Sequence, residues 1–134
     1  MFGTWLWGLL GGAALRRTAR REASAPTVIP DLAQRIDTEL ARRGYLQAIL
    51  SSERHSLHEP MDRVHREIAA MFIPTLAIWG EADPVIPIAA SGELARIHRT
   101  AHQAVIPGAG HGLAYANPTE VIAAIKEFLH DIPD

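Results

Sequence analysis

The chain has 134 residues, 48% of them hydrophobic and 21% charged, which is the composition of a folded globular protein and the length of one ordinary domain. Thirteen basic and fifteen acidic residues leave a formal charge of -2, so no global field draws in nucleic acid or an anionic membrane. The absence of cysteine excludes disulfides, thiolate metal sites and cysteine nucleophiles, and it fits a reducing cytoplasm.

Residues 1–15 are strongly apolar and precede the cluster Arg16, Arg17, Arg20 and Arg21. A secretory signal carries its positive charge before the apolar run, and a bilayer span needs about 20 residues. Phe2, Trp5, Leu6, Leu9, Leu10 and Ala13 instead recur at helical spacing, so residues 1–21 read as an amphipathic helix. Such a helix packs on the domain or lies on a membrane surface with its arginines at the headgroups. Trp5 and Trp7, two apart, cannot both face that stripe. Glu22 to Pro30 then reads as a connector.

Asp31, with Gln34 three residues on, reads as a helix cap, and Leu32, Ile36 and Leu40 give the helix an apolar stripe up to Gly44. Tyr45, Leu46, Ile49 and Leu50 open a second helix, which the polar stretch from Ser51 to Pro60 should end. Met61, Val64, Ile68, Met71 and Phe72 give a third, closed by Pro74. His55, His58 and His65 with Glu59 can be drawn as a metal cluster, but a polar stretch broken by proline accounts for them more simply, and no metal is expected.

The pattern then changes. Thr75 to Trp79, closed by Gly80, and His102 to Ile106, closed by Pro107 and Gly108, read as buried strands. Between them Ile88 to His98 has helical period, so the unit is strand, helix, parallel strand. Asn117, Pro118 and Glu120 form a helix start, and Val121, Ile122, Ile125, Phe128 and Leu129 supply a stripe to lie against the sheet.

Ligands bind at the carboxyl ends of strands in open α/β sheets, and the loops there hold Glu81 and Asp83 after the first strand and His111 after the second. Adjacent strands lie about 5 Å apart, so Asp83 and His111 fall within hydrogen-bonding reach. A carboxylate on one imidazole nitrogen fixes the tautomer and leaves the other nitrogen to take a proton from a nucleophile. The loop glycines should bring the ring into the cleft without obstruction. Taken singly, Asp83 is a turn residue and His111 a tolerated loop residue; together, at adjacent strand ends, they point to an acid and a base. Glu81 competes for the acid role but is expected to face solvent.

The segment Pro74-Thr75-Leu76-Ala77-Ile78-Trp79-Gly80-Glu81-Ala82-Asp83-Pro84-Val85-Ile86-Pro87 resembles the penultimate strand and acid loop of the α/β-hydrolases. Ile106-Pro107-Gly108-Ala109-Gly110-His111 resembles the end of that family's last strand with its histidine, and Asn117-Pro118 its closing helix. Tyr45 to Phe72 resemble, more loosely, the helices that leave the family's cap. The resemblance implies a partial α/β-hydrolase fold, with a helical cap-like segment at 1–73 and the C-terminal part of the core at 74–134. It also implies Asp83 as catalytic acid, His111 as catalytic base and no cofactor. The family's nucleophile, in G-x-S-x-G on an earlier strand-to-helix elbow, has no counterpart, since none of Ser24, Ser51, Ser52, Ser56 and Ser91 has glycine two residues away on both sides.

Two readings follow. In the first the chain is the C-terminal portion of a truncated or split ester or lipid-ester hydrolase, inactive alone; epoxide and haloalkane hydrolases, with an aspartate nucleophile, share the same acid and base segments. In the second it is a non-catalytic interaction module, cytoplasmic or peripheral on a membrane through residues 1–21, that pairs with a polypeptide supplying the missing strands, pairs with itself, or stays loosely packed and prone to aggregate. Two parallel strands leave edges that call for more sheet.

Overall fold

A computed structural model describes residues 17–18, 20–21, 27–57 and 59–132. The described residues up to Glu59 make one compact unit and those from Pro60 onward a second. The apolar stripe of residues 1–15 with its two tryptophans, and most of the connector, lie outside the described residues, whereas residues 17–18 and 20–21 are helical. Among the described residues no helix is long and apolar enough to cross a membrane.

The first unit holds α1 (Leu32–Ala41) and α2 (Tyr45–His55), joined at Gly44 and packed on one another. Leu32 and Ile36 are half-buried and Leu40 is buried, so the stripe along α1 is real. Its cap is not. Asp31 adopts φ 58, ψ 25, and its side chain makes no cap bond. A capping carboxylate reaches the free amides only from an extended backbone, and the left-handed turn points it elsewhere. The Asp31 carbonyl still accepts the first helical bond, from Arg35 N–H at 3.0 Å.

The second unit holds α3 (Asp62–Ala70), β1 (Leu76–Gly80), α4 (Ala90–Ile97), β2 (His102–Ile106), α5 (Leu113–Ala116) and α6 (Pro118–Asp131). The fold is thus mixed α/β, mostly helical, around a two-stranded parallel sheet with Leu76 opposite His102 and Gly80 opposite Ile106. α3 ends before the last two residues of its expected stripe: Phe72 turns to φ 54, and Met71 and Phe72 are 62% and 85% exposed. The one-turn α5 has no sequence signal; four residues are too few to show a period.

The sheet is sandwiched. The His102 ring packs edge-on against Phe128 of α6, with centroids 5.3 Å apart, whereas the Gln103 side chain donates to the Ser91 carbonyl of α4 at 3.1 Å. Side chains alternate along a strand, so His102, Ala104 and Ile106 face α6 while Gln103 and Val105 face α4. The expectation of two buried strands is corrected here. Only Gly80 and Ile106 are buried, and Val105 is 47% exposed. Strands are shielded by neighbours on both edges, and each of these has one neighbour among the described residues. The α6 stripe is likewise covered along one side only: Val121, Ala124 and Phe128 are half-buried, while Ile122, Ile125 and Leu129 are exposed. Asn117 precedes α6 with Pro118 at the first turn, but its side chain makes no cap bond because φ -126, ψ 48 also closes α5, its N–H donating to the Leu113 carbonyl at 2.8 Å.

Candidate active site

Where β1 and β2 end, their loops are laced together. Glu81 N–H donates to the Ile106 carbonyl at 3.1 Å, and Ala82 N–H to the Ala109 carbonyl at 2.9 Å. Gly80 is what admits this approach, because a Cβ there would lie 2.6 Å from the Ala109 carbonyl oxygen and 2.7 Å from that of Gly110. Both contacts are with backbone, so nothing can swing aside. Of the glycines around His111, Gly108 holds a positive φ of 67, whereas Gly110 has open space around its Cα. The expected freedom is used at the start of the histidine loop and again just after His111, where a Cβ on Gly112 would lie 2.5 Å from the Tyr115 ring.

Asp83 turns back on its own loop. Its Oδ1 accepts the N–H groups of Val85 at 2.7 Å and Ile86 at 3.0 Å, and its Oδ2 lies 3.0 Å from His111 Nδ1. Since a carboxylate only accepts, Nδ1 carries the proton and Nε2 is the nitrogen left for exchange. The Asp83 side chain is 6% exposed and that of His111 42%, so the carboxylate is sheltered and the imidazole reaches solvent. Burial pushes the Asp83 carboxyl up, but the Ile86 N–H, the bond to His111, the Val85 N–H and the charge on His111 together hold it below its ordinary value of 3.8. The carboxylate is thus kept ionised against the imidazole, as a partner that orients a base must be.

Glu81 is exposed, as expected, and it also makes a bond. Its Oε2 accepts Gly108 N–H at 2.9 Å and so pins the start of the histidine loop to the acid loop. No sequence signal marks this bond, which joins residues 27 apart. Ser91 lies in α4, Ser51 and Ser52 in α2, and Ser56 follows α2; Ser24 is outside the described residues. The described bond of His111 goes to Asp83, and no serine shares it. Among the described residues no three of His, Cys, Asp and Glu converge to hold a metal ion, and His58 of the drawn histidine cluster lies outside them.

No protein-family model matches the chain. It is similar to monoacylglycerol lipase ABHD6 of Mus musculus, 28% identical over 91 residues, and to that of Homo sapiens, 25% identical over the same length; in both cases the match covers 68% of this chain and 25% of the relative. Monoacylglycerol lipase abhd6-B of Xenopus laevis is 27% identical over 94 residues, 70% of this chain and 26% of its own. The chain thus spans about a quarter of the length of the relatives it matches. These similarities support kinship with the α/β-hydrolase superfamily and nothing finer.

Proposed function

We propose that this chain carries the acid and base of an α/β-hydrolase that cleaves a carboxylic or lipid ester, of which a monoacylglycerol is the first to try. The observation that supports it is the 3.0 Å bond between a sheltered Asp83 and a solvent-reaching His111 at adjacent strand ends. In this reading His111 Nε2 takes the proton of an attacking serine hydroxyl and returns it to the leaving alcohol, while Asp83 holds the ring and stabilises the imidazolium. The names of the relatives favour an ester over an epoxide or a haloalkane. The serine and the oxyanion donors belong to sequence of the G-x-S-x-G kind, which these 134 residues do not contain, so the reaction needs a polypeptide segment that brings them.

The missing motif and the open sheet edges favour a second reading, a non-catalytic module that pairs with another polypeptide. Transplantation separates the two. The matching quarter of the mouse lipase is replaced by this chain, and monoacylglycerol hydrolysis is measured. The hydrolase reading expects turnover that His111→Ala lowers by several orders of magnitude. A folded chimera without turnover, or turnover indifferent to His111→Ala, would sink it.

A further inference from the structure

β2 pairs with β1 on one edge and with nothing on the other among the described residues. His102 N–H donates to the Thr75 carbonyl at 2.8 Å, and the Ile106 carbonyl accepts Glu81 N–H at 3.1 Å, so residues 102, 104 and 106 turn their backbone groups toward β1. Successive residues of a strand alternate in this respect too, so Gln103 and Val105 turn both N–H and C=O to the open edge. Along that edge runs a groove of about 490 Å³ between β2 and α6. Its floor includes Ala104, Ala124 and Phe128, and its α6 side carries Glu120, Glu127 and Asp131.

The groove lining includes no lysine or arginine, and none of these three carboxylates pairs with one among the described residues. At 1.5 Å per residue the stretch from Glu120 to Asp131 spans about 16 Å, the length of a strand of about five residues at 3.3 Å each. Two of these features fix the form of a ligand and one fixes its charge. An unpaired edge calls for extended backbone, small and apolar floor residues accept alternate side chains, and the carboxylates of Glu120 and Glu127, beside an Asp131 whose one described partner is His130 Nδ1 at 3.4 Å, call for cations above them.

We propose that the open edge of β2 takes an extended basic polypeptide segment as a third strand, with its arginine or lysine side chains over Glu120, Glu127 and Asp131. A second copy of this chain suits the groove poorly, since its own β2, His-Gln-Ala-Val-Ile, brings no arginine or lysine. The surface is distinct from the Asp83–His111 pair, so the proposal stands whichever reading of that pair holds.

The test uses the full chain, isotope-labelled, and a synthetic ten-residue peptide of alternating arginine and valine. Controls are the same peptide with glutamate for arginine, and one with proline at alternate positions. The arginine peptide should bind, shift the amide resonances of Gln103 and Val105 and slow their exchange, while both controls fail. Glu120→Lys and Glu127→Lys, exposed changes that leave the core alone, should each weaken binding roughly threefold. Absence of binding, equal binding of the glutamate peptide, or shifts that spare Gln103 and Val105 would each overturn the proposal. Self-association through β2 at the expense of the peptide would overturn it as well.

Discussion

At the scale of single residues Asp83 is better determined than His111. Asp83 has partners on both carboxylate oxygens, and together they outweigh its burial. Its pKa is therefore lower folded than unfolded, so its contribution to stability is present above the unfolded value of about 3.9 and is lost as pH falls through the folded one. Asp83→Asn is expected to cost about 1–2 kcal/mol at neutral pH, and the gap from the parent should narrow as the pH drops below about 4. Denaturant melts of both proteins at several pH values measure this. A gap that widens in acid would contradict it. His98 is a different case. It is fully buried, neither ring nitrogen has a hydrogen-bond partner, and its ring sits 5.9 Å from that of His65. An unpaired buried polar group costs about 1–3 kcal/mol, so His98→Leu should raise the melting temperature. A lowered one would show that the ring has a hydrogen-bond partner in solution.

At the scale of elements, sequence pattern located the segments well and their ends less well. β2 runs from His102 to Ile106 as the apolar run implied, and α1 and α6 begin right after the residues read as caps. The caps themselves did not form, because capping depends on a backbone conformation that residue identity only favours. Asp31 and Asn117 took others. The pairing of Asp83 with His111 was legible because it needs only adjacent strands of known spacing. The brace from Glu81 to Gly108 was not, since it depends on how two loops fold back on each other. That closeness makes Gly80 the most sensitive position of the site: Gly80→Ala would press a methyl group onto two carbonyl oxygens, and it should cost several kcal/mol or part the loops. Chemical denaturation, with the Ala82 amide followed by hydrogen exchange, reads both outcomes. Phe72 is the reverse, an 85% exposed aromatic at φ 54 between α3 and β1, so Phe72→Gly should stabilise by up to about 1 kcal/mol. A destabilised variant would mean that the ring is engaged in solution.

At the scale of the molecule, the absent G-x-S-x-G and the geometry of the acid–base pair pull against each other only if the chain is asked to act alone. In the proposed reading the chain supplies two of three triad members, and such a site is close to inert. The purified chain should hydrolyse a short-chain activated ester no faster than its His111→Ala variant, and a faster rate would reveal a nucleophile among the serines set aside above. Whether Asp83 and His111 form one catalytic unit is the central question. A double-mutant cycle on monoacylglycerol hydrolysis by the lipase chimera answers it: kcat/KM is measured with Asp83→Asn, His111→Ala and both. Residues that act as a unit lose their function together, so the double variant should be about as slow as His111→Ala alone. Losses that multiply as independent effects would mean that the two residues do not act as one acid–base pair.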